Sequence, residues 1–251
     1  MPSSQLCGAA IATRGVAVQC VTVHRPSGTY LDVIQTLAAR LASRAPGHPL
    51  RVAVDGRTAA GKTTFGLHLA EAVRGHGRPA LTANIDGFHN PKAVRYARGR
   101  MSPEGYYRDA RDLAAVRRCL LEPLGPGGSR RIVRQTFDLA ADQPVAPVRD
   151  VVPPDAVLIT DGTFLQRPEF AGLWDIVVYL DVLEAVSLAR GIARDAAALG
   201  GAEAAEAIYR ARYLPGFAFY RSECDPVAGA DAVVALSDFD APQLRWQSSR
   251  G

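Results

Sequence analysis

Residues Gly56 to Thr63 read Gly-Arg-Thr-Ala-Ala-Gly-Lys-Thr, two glycines with four residues between them, followed directly by a lysine and a hydroxyl. Glycines at that spacing let successive backbone N–H groups wrap a phosphate, and a helix starting at the lysine adds favourable partial positive charge. Lys62 is placed to reach β- and γ-phosphates, and the Thr63 hydroxyl to ligate Mg²⁺. The expected nucleotide-binding set is Gly56, Arg57, Thr58, Ala59, Ala60, Gly61, Lys62, Thr63 and Thr64, with ATP and Mg²⁺ as cofactors. The motif counts because a buried strand precedes it and an amphipathic helix follows.

Three further groups could complete phosphoryl transfer. Asp161 ends the apolar run Val157-Leu-Ile-Thr, where a carboxylate beside a phosphate loop holds Mg²⁺; Asp181, ending the next apolar run, competes for the role. Asp86, in Asn84-Ile-Asp-Gly-Phe-His89, lies at the carboxyl end of a strand, where α/β sheets bind ligands. It can accept a hydroxyl proton during attack on phosphorus, the alternative being a cap on the turn before Gly87; His89 either contacts the acceptor or is a hydrogen-bonded loop residue. Arg190 and Arg194 share a helix face, with Arg210 and Arg212 in the next helix. Arginines on a lid offset charge on the transferring phosphate, whereas Arg210 can instead pair with Glu206.

Strands are expected at 51–55, 80–86, 131–137, 156–161, 176–181 and 232–235, because these are short apolar runs bounded by turns or acids. Helices are expected at 30–44, 62–74, 183–198 and 202–213. Another should run from the Ser102-Pro103-Glu104 start to about Leu121. Alternating strands and helices imply a parallel sheet covered on both faces. Val16 to Val23 is a candidate edge strand in an extension spanning 1–28, ahead of one domain over 29–251 with its lid at about 183–215.

The chain has 251 residues, 48% hydrophobic and 22% charged, enough for one α/β domain with a sizeable core. No apolar run is long enough to span a membrane, and no signal peptide is evident, so a cytoplasmic protein is expected. The four cysteines, Cys7, Cys20, Cys119 and Cys224, are too scattered for a disulfide framework or a zinc site. The net charge is +4, but residues 92–134 hold 11 Lys/Arg against 4 Asp/Glu, a segment suited to an anionic ligand. Aromatic interleaving is too sparse there for nucleic acid to be the expected partner. A homodimer is left open.

In this order the residues resemble the uridine kinase/phosphoribulokinase family, which includes the bacterial type of pantothenate kinase. The resemblance covers roughly residues 50 to 235: the phosphate loop, Asp86-Gly-Phe-His, Ser102-Pro-Glu-Gly-Tyr-Tyr, Gln135-Thr-Phe-Asp138, Asp161-Gly162, then Arg190 and Arg194. It implies an α/β P-loop three-layer sandwich with a five-stranded parallel sheet and a helical lid, Asp86 as general base, and an acceptor pocket around Tyr106, Tyr107, Phe137 and Asp138. Arg98 and Arg100 are further acceptor contacts, as is Arg212 on the lid. Departures from uridine kinases fall mostly on the acceptor side. Asp161 stands for the usual Glu, Phe137 for a tyrosine, and Asp142 near an expected histidine, while Ala196 to Gly201 replaces an arginine-glycine-rich lid.

The expected activity is transfer of the γ-phosphate of ATP to a hydroxyl of a nucleoside or nucleoside-like small molecule. Alternatives are a kinase specialised for a nucleoside antibiotic or its precursor, and a pantothenate-type kinase. A nucleotide-dependent regulatory ATPase would be a different class, in which Asp86 would have no task. A guanine-specifying Asn-Lys-x-Asp is absent.

Overall fold

In the computed structural model, which describes residues 29–247, the strands in chain order are β1 (Leu50–Gly56), β2 (Ala80–Asn84), β3 (Arg131–Val133), β4 (Phe137–Asp138), β5 (Gln143–Pro144), β6 (Arg149–Val151), β7 (Val157–Gly162), β8 (Ile176–Asp181), β9 (Ala232–Ala235) and β10 (Gln243–Trp246). The helices are α1 (Tyr30–Ser43), α2 (Lys62–Gly75), α3 (Lys92–Arg95), α4 (Pro103–Arg108), α5 (Leu113–Val116), α6 (Glu184–Leu199), α7 (Ala202–Ile208) and α8 (Leu214–Cys224). The candidate strand at Val16 to Val23 lies outside the described residues.

β1 and β7 are buried at every position, as continuous apolar runs require when both sheet faces are covered. They belong to a six-stranded sheet of order β10-β9-β8-β1-β7-β2. Five strands are parallel, as expected; β10 adds an antiparallel edge on β9 that the sequence reading missed. Its pattern Gln-Leu-Arg-Trp buries only Leu244 fully, too weak a signal to separate from a loop. On one face, Val33 and Leu37 of α1 and Phe65 and Leu69 of α2 form a core. On the other, Phe88, Tyr107, Phe164 and Tyr220 pack beneath α4 and α8. Truncating the fully buried Phe65 to alanine would cost about 3–5 kcal/mol.

The chain leaves β1 and returns in β2 beyond β7, so the strand order reverses around β1, and a crevice opens at the carboxyl ends. Register fills it: Val54 pairs with Asp161, and Asn84 with Asp161 from the other side. The end of the phosphate-loop strand, the metal-candidate acid and the strand before Asp86 are therefore neighbours by backbone pairing alone.

Two expected elements are broken. The helix expected from Ser102 to Leu121 does start as read, Ser102 Oγ accepting the Gly105 N–H at 3.0 Å with Pro103 in the first turn. It stops at Arg108 because the backbone of 110–112 joins the loop after β2. The Asn90 N–H donates to the Ala110 carbonyl, the Asp112 N–H to that of Phe88, and Asp112 Oδ1 then caps α5 at the Ala115 N–H. The strand expected at Arg131 to Phe137 is also split: β3 pairs with β6, and β4 with β5, both outside the main sheet. Between them Thr136 donates its N–H to the Gly87 carbonyl, and a Cβ on Gly87 would lie 2.9 Å from the Arg134 carbonyl oxygen, so only glycine allows that approach.

α6 and the helix that follows, expected to form a lid, are joined at Gly200-Gly201, both with positive φ. That second helix does not end at Tyr213 but continues from α7 into α8 through a widened turn at 209–213, where the Leu214 N–H bonds to the Tyr209 carbonyl five residues back. Pro215 is the cause: it lacks the N–H that Ala211 would receive, and its ring needs room in the preceding turn. The same widening at 117–121 precedes Pro123 at the same offset.

Candidate active site

The phosphate loop leaves β1 at Gly56, where a Cβ would meet the Leu180 carbonyl oxygen at 2.8 Å. Ala59, with φ of 59°, is held in the left-handed region, a strained backbone of the kind found at ligand-binding loops. Two side-chain contacts brace the loop against other elements: Ser187 of α6 donates to the Thr58 carbonyl at 2.7 Å, and the Thr58 hydroxyl lies 2.9 Å from the Tyr106 hydroxyl. Arg57 is buried, ion-paired to Glu184 and laid on the Phe217 ring, so its side chain braces the lid base.

Beneath the loop, Asp55 is fully buried and accepts the Gly56 N–H, a Gln166 amide N–H and the Tyr220 hydroxyl. Burial raises its carboxyl, and these donors oppose the rise. Lys62 is buried and donates to the Arg57 carbonyl at 2.8 Å. Burial pulls its ammonium down to about 8, against the attraction of Asp55 and Asp161. Thr63 Oγ1 donates to Asp161 Oδ2 at 2.6 Å, and Asn84 Nδ2 donates to the same oxygen at 2.7 Å. Burial raises the Asp161 carboxyl, with the Thr63 hydrogen bond and Lys62 opposing. A hydroxyl and a carboxylate converging beside a phosphate loop are hard oxygen donors of the kind that would suit Mg²⁺. Asp181 does not line the cavity that holds Lys62, Thr63 and Asp161.

Asp86 follows in a tight turn whose N–H donates to the Asn84 side chain at 2.7 Å. Arg111 donates from Nη2 at 2.7 Å and from Nε at 3.1 Å to one oxygen of Asp86, Oδ1. Burial alone would raise the Asp86 carboxyl; the guanidinium beside it outweighs that and holds it low. His89 Nδ1 donates to the Asp86 carbonyl at 2.8 Å, and burial together with Arg111 pushes its ring down to about 4, leaving it neutral.

Asp86 borders two cavities. One, of about 200 Å³, contains Lys62, Thr63, Asp161 and Tyr106. The other, of about 680 Å³, is walled by Arg134, Gln135, Phe137 and Val148 beside edge strand β2. A third, of about 350 Å³, continues from Gly61 to Thr64 past Arg190 and Arg194.

The expected site residues separate accordingly. Lys62, Thr63, Asp161, Asp86, His89, Tyr106 and Arg194 come together around the small cavity. Phe137 and Asp138 border the large one, although Asp138 Oδ1 also caps the turn at Ala140 and Ala141. Arg190 donates to the Leu236 and Ser237 carbonyls and lies 4.3 Å over the Phe239 ring. Arg194 pairs with Asp195, and Arg212 is buried against the rings of Tyr96, Tyr106 and Tyr213. Arg210 pairs with Glu206 at the surface.

Tyr107 turns the other way, its ring packing in the aromatic core and its hydroxyl donating to Glu223, because consecutive helical residues cannot share a face. Arg98 is drawn into ion pairs with Asp109 and Glu104, Arg100 is exposed, and neither borders these cavities. Sequence reasoning missed Asn84, Arg111 and Phe239. A polar residue closing β2 two positions before Asp86 was a usable signal for Asn84. Arg111 gave none, since the expected helix ran through it.

The chain matches the family model described as the phosphoribulokinase/uridine kinase family over residues 52–220. A structure from Silicibacter sp. TM1040, described provisionally as a fructose transport system kinase, is 27% identical with a TM-score of 0.65, covering 79% of this chain and 96% of that one. A Bacillus stearothermophilus structure described as a possible uridine kinase is 21% identical, TM-score 0.64, covering 80% and 97%. D-glycerate 3-kinase from Cryptococcus neoformans shares the fold at 14% identity, TM-score 0.54, covering 76% and 88%. No curated protein sequence matches the chain.

Proposed function

Because the chain belongs to the phosphoribulokinase/uridine kinase family and is a small-molecule kinase of the P-loop type, we propose that its acceptor is a nucleoside or nucleoside-like alcohol. The observation that carries this is the position of Asp86, at the junction of the phosphate-loop cavity and a second cavity large enough for a sugar with an attached ring. Phe137 offers that cavity a flat apolar wall, and Gln135 an amide that can pair with a base edge.

The loop N–H groups and Lys62 hold the β- and γ-phosphates of ATP, while Arg194 faces the same cavity from the lid. Thr63 Oγ1 and Asp161 would hold Mg²⁺, whose chemistry is to neutralise charge on the phosphates. Asp86 orients the acceptor hydroxyl and receives its proton as the new oxygen–phosphorus bond forms and the bridge bond to ADP breaks. Arg190, laid over the Phe239 ring, offers a cation at the outer end of the donor cavity.

A sugar acceptor is the second reading, favoured by the 27% identity to the Silicibacter structure and its description. The test is a screen with ATP and Mg²⁺ over nucleosides, nucleoside antibiotics, pantothenate, fructose and D-glycerate, resolved by mass. A nucleoside or nucleoside antibiotic gaining 80 Da (one phosphate replacing a proton) is the expected result. Phosphate on fructose alone moves the assignment to the second reading. ADP formation that no acceptor stimulates would instead indicate a regulatory ATPase.

A further inference from the structure

We infer that Arg111 is the residue that positions Asp86, clamping one carboxylate oxygen so that the other faces the acceptor. This rests on the reading of Asp86 as the base and adds the device that sets its orientation. Both Arg111 donors converge on Oδ1, while Oδ2 has no hydrogen-bond partner among the described residues. Their exposures are opposite: the Arg111 side chain is 8% exposed and that of Asp86 53%. A carboxylate bound on one side and open on the other can receive a proton only through the open oxygen.

The clamp is itself held. Arg111 forms an antiparallel bridge with His89, three residues after Asp86 and directly following its turn, flanked by the Asn90 and Asp112 backbone hydrogen bonds. Its guanidinium lies against the rings of Tyr106, at 5.7 Å, and Phe164, at 5.9 Å. The Arg111 guanidinium cannot turn without leaving this aromatic wall, and Asp86 cannot turn without giving up both Arg111 hydrogen bonds.

Other charged or titratable groups border the same cavity as the Asp86 carboxylate. Lys62 comes from α2, Asp161 from β7, His89 from its own loop and Arg194 from the lid. Lys62 is engaged with the Arg57 carbonyl, and Arg194 with Asp195. His89 spends its proton on the Asp86 carbonyl. Among the described residues Arg111 is thus the cation hydrogen-bonded to this carboxylate, and it keeps Asp86 ionised in advance of the reaction. The acceptor O–H bond breaks late in a loose phosphoryl transfer. Its proton passes to Oδ2, its oxygen bonds to phosphorus, and the electrons of the broken phosphorus–oxygen bond leave with ADP. A weak but fixed base serves such a step.

The test uses R111Q and R111K in the full chain. The Asp86 carboxyl is titrated by carbon-13 NMR in the free protein, and kcat against pH is measured with ATP, Mg²⁺ and uridine as probe acceptor. In R111Q the Asp86 titration and the acid limb of kcat should both move up by about 1 pH unit or more. Turnover at pH 7 should fall about 10- to 100-fold, with the KM for ATP changed less than threefold. R111K should restore the titration but only part of kcat, since an ammonium cannot fork two N–H groups onto one oxygen. An unmoved titration and acid limb in R111Q would overturn the proposal. So would wild-type kcat in R111K, the decisive measurement should R111Q not fold. If wild type leaves uridine untouched while the R111Q titration moves, the choice of acceptor fails and the clamp stands.

Discussion

Around the phosphate loop, polar groups are placed by one contiguous stretch and by strand register, whereas around Asp86 they are placed by hydrogen bonds between segments far apart in the chain. Lys62, Thr63 and the loop N–H groups come from one contiguous stretch, and Asp161 arrives because β7 pairs with β1 residue by residue. Asp86, Arg111 and the Gln135–Phe137 stretch come from three separate segments brought together by a few hydrogen bonds, such as Thr136 to Gly87 and Asp112 to Phe88. The donor half is therefore hard to alter without breaking the sheet. The acceptor half can change its lining by substitution in loops while the transfer chemistry stays the same.

Breaking the donor half should have the largest effect. K62M removes the cation aimed at the phosphates and should lower kcat about 10³-fold or more, whatever the acceptor. Because burial holds the Lys62 ammonium at about 8, below its unfolded value, charging it at pH 7 opposes folding. K62M should accordingly melt no lower than wild type in calorimetry at pH 7. A large fall in melting temperature would mean that Lys62 is structural and that the donor half has been misread.

D86N tests the join between the halves. It keeps the shape and the Arg111 contact but removes the proton acceptor, so kcat should fall about 10²- to 10³-fold while ATP affinity, measured by calorimetry, stays within about threefold. Equal losses in both would merge two halves that the geometry keeps apart.

The contrast also explains what was legible in the sequence. Strands β1, β2, β7, β8 and β9 could be read because a strand buried on both faces leaves an unbroken apolar run, and Asp161 because an acid closes one of them. Arg111 could not. Read alone, residues 102–121 have a good helix start and no proline or glycine after Gly105 to stop the helix, which would have placed Arg111 on a solvated face. What stops it is pairing with 88–90, more than twenty residues away, and non-local hydrogen bonds leave no mark on local propensity. Tyr106 and Tyr107 were expected to act together for the same reason: their identity was visible and their direction was not.

A smaller effect sharpens the donor half. ATP phosphates bind the charged form of Lys62, whose free-state value is about 8. Above that pH a proton must be taken up on binding, so the Kd for ATP should rise by up to tenfold per pH unit between about 8 and 9.5. Titration calorimetry in buffers of different ionisation enthalpy would show the uptake, and in K62M it should vanish. An unchanged Kd across that range would mean that the loop N–H groups alone hold the phosphates.

The finest test lies in two adjacent tyrosines. Tyr106 borders the catalytic cavity with its hydroxyl 2.9 Å from that of Thr58, joining α4 to the phosphate loop. Tyr107 is buried in the core with its hydroxyl on Glu223. Y106F leaves the ring in place and removes the join, so kcat/KM should fall about 2- to 10-fold with little change in stability, the net worth of one hydrogen bond being about 1 kcal/mol. Y107F should do the reverse, lowering the melting temperature by about 2–4 °C and leaving kcat/KM unchanged. If Y107F instead altered acceptor specificity, the aromatic core would belong to the acceptor half, and the boundary between the halves would lie one helix face further from Asp86.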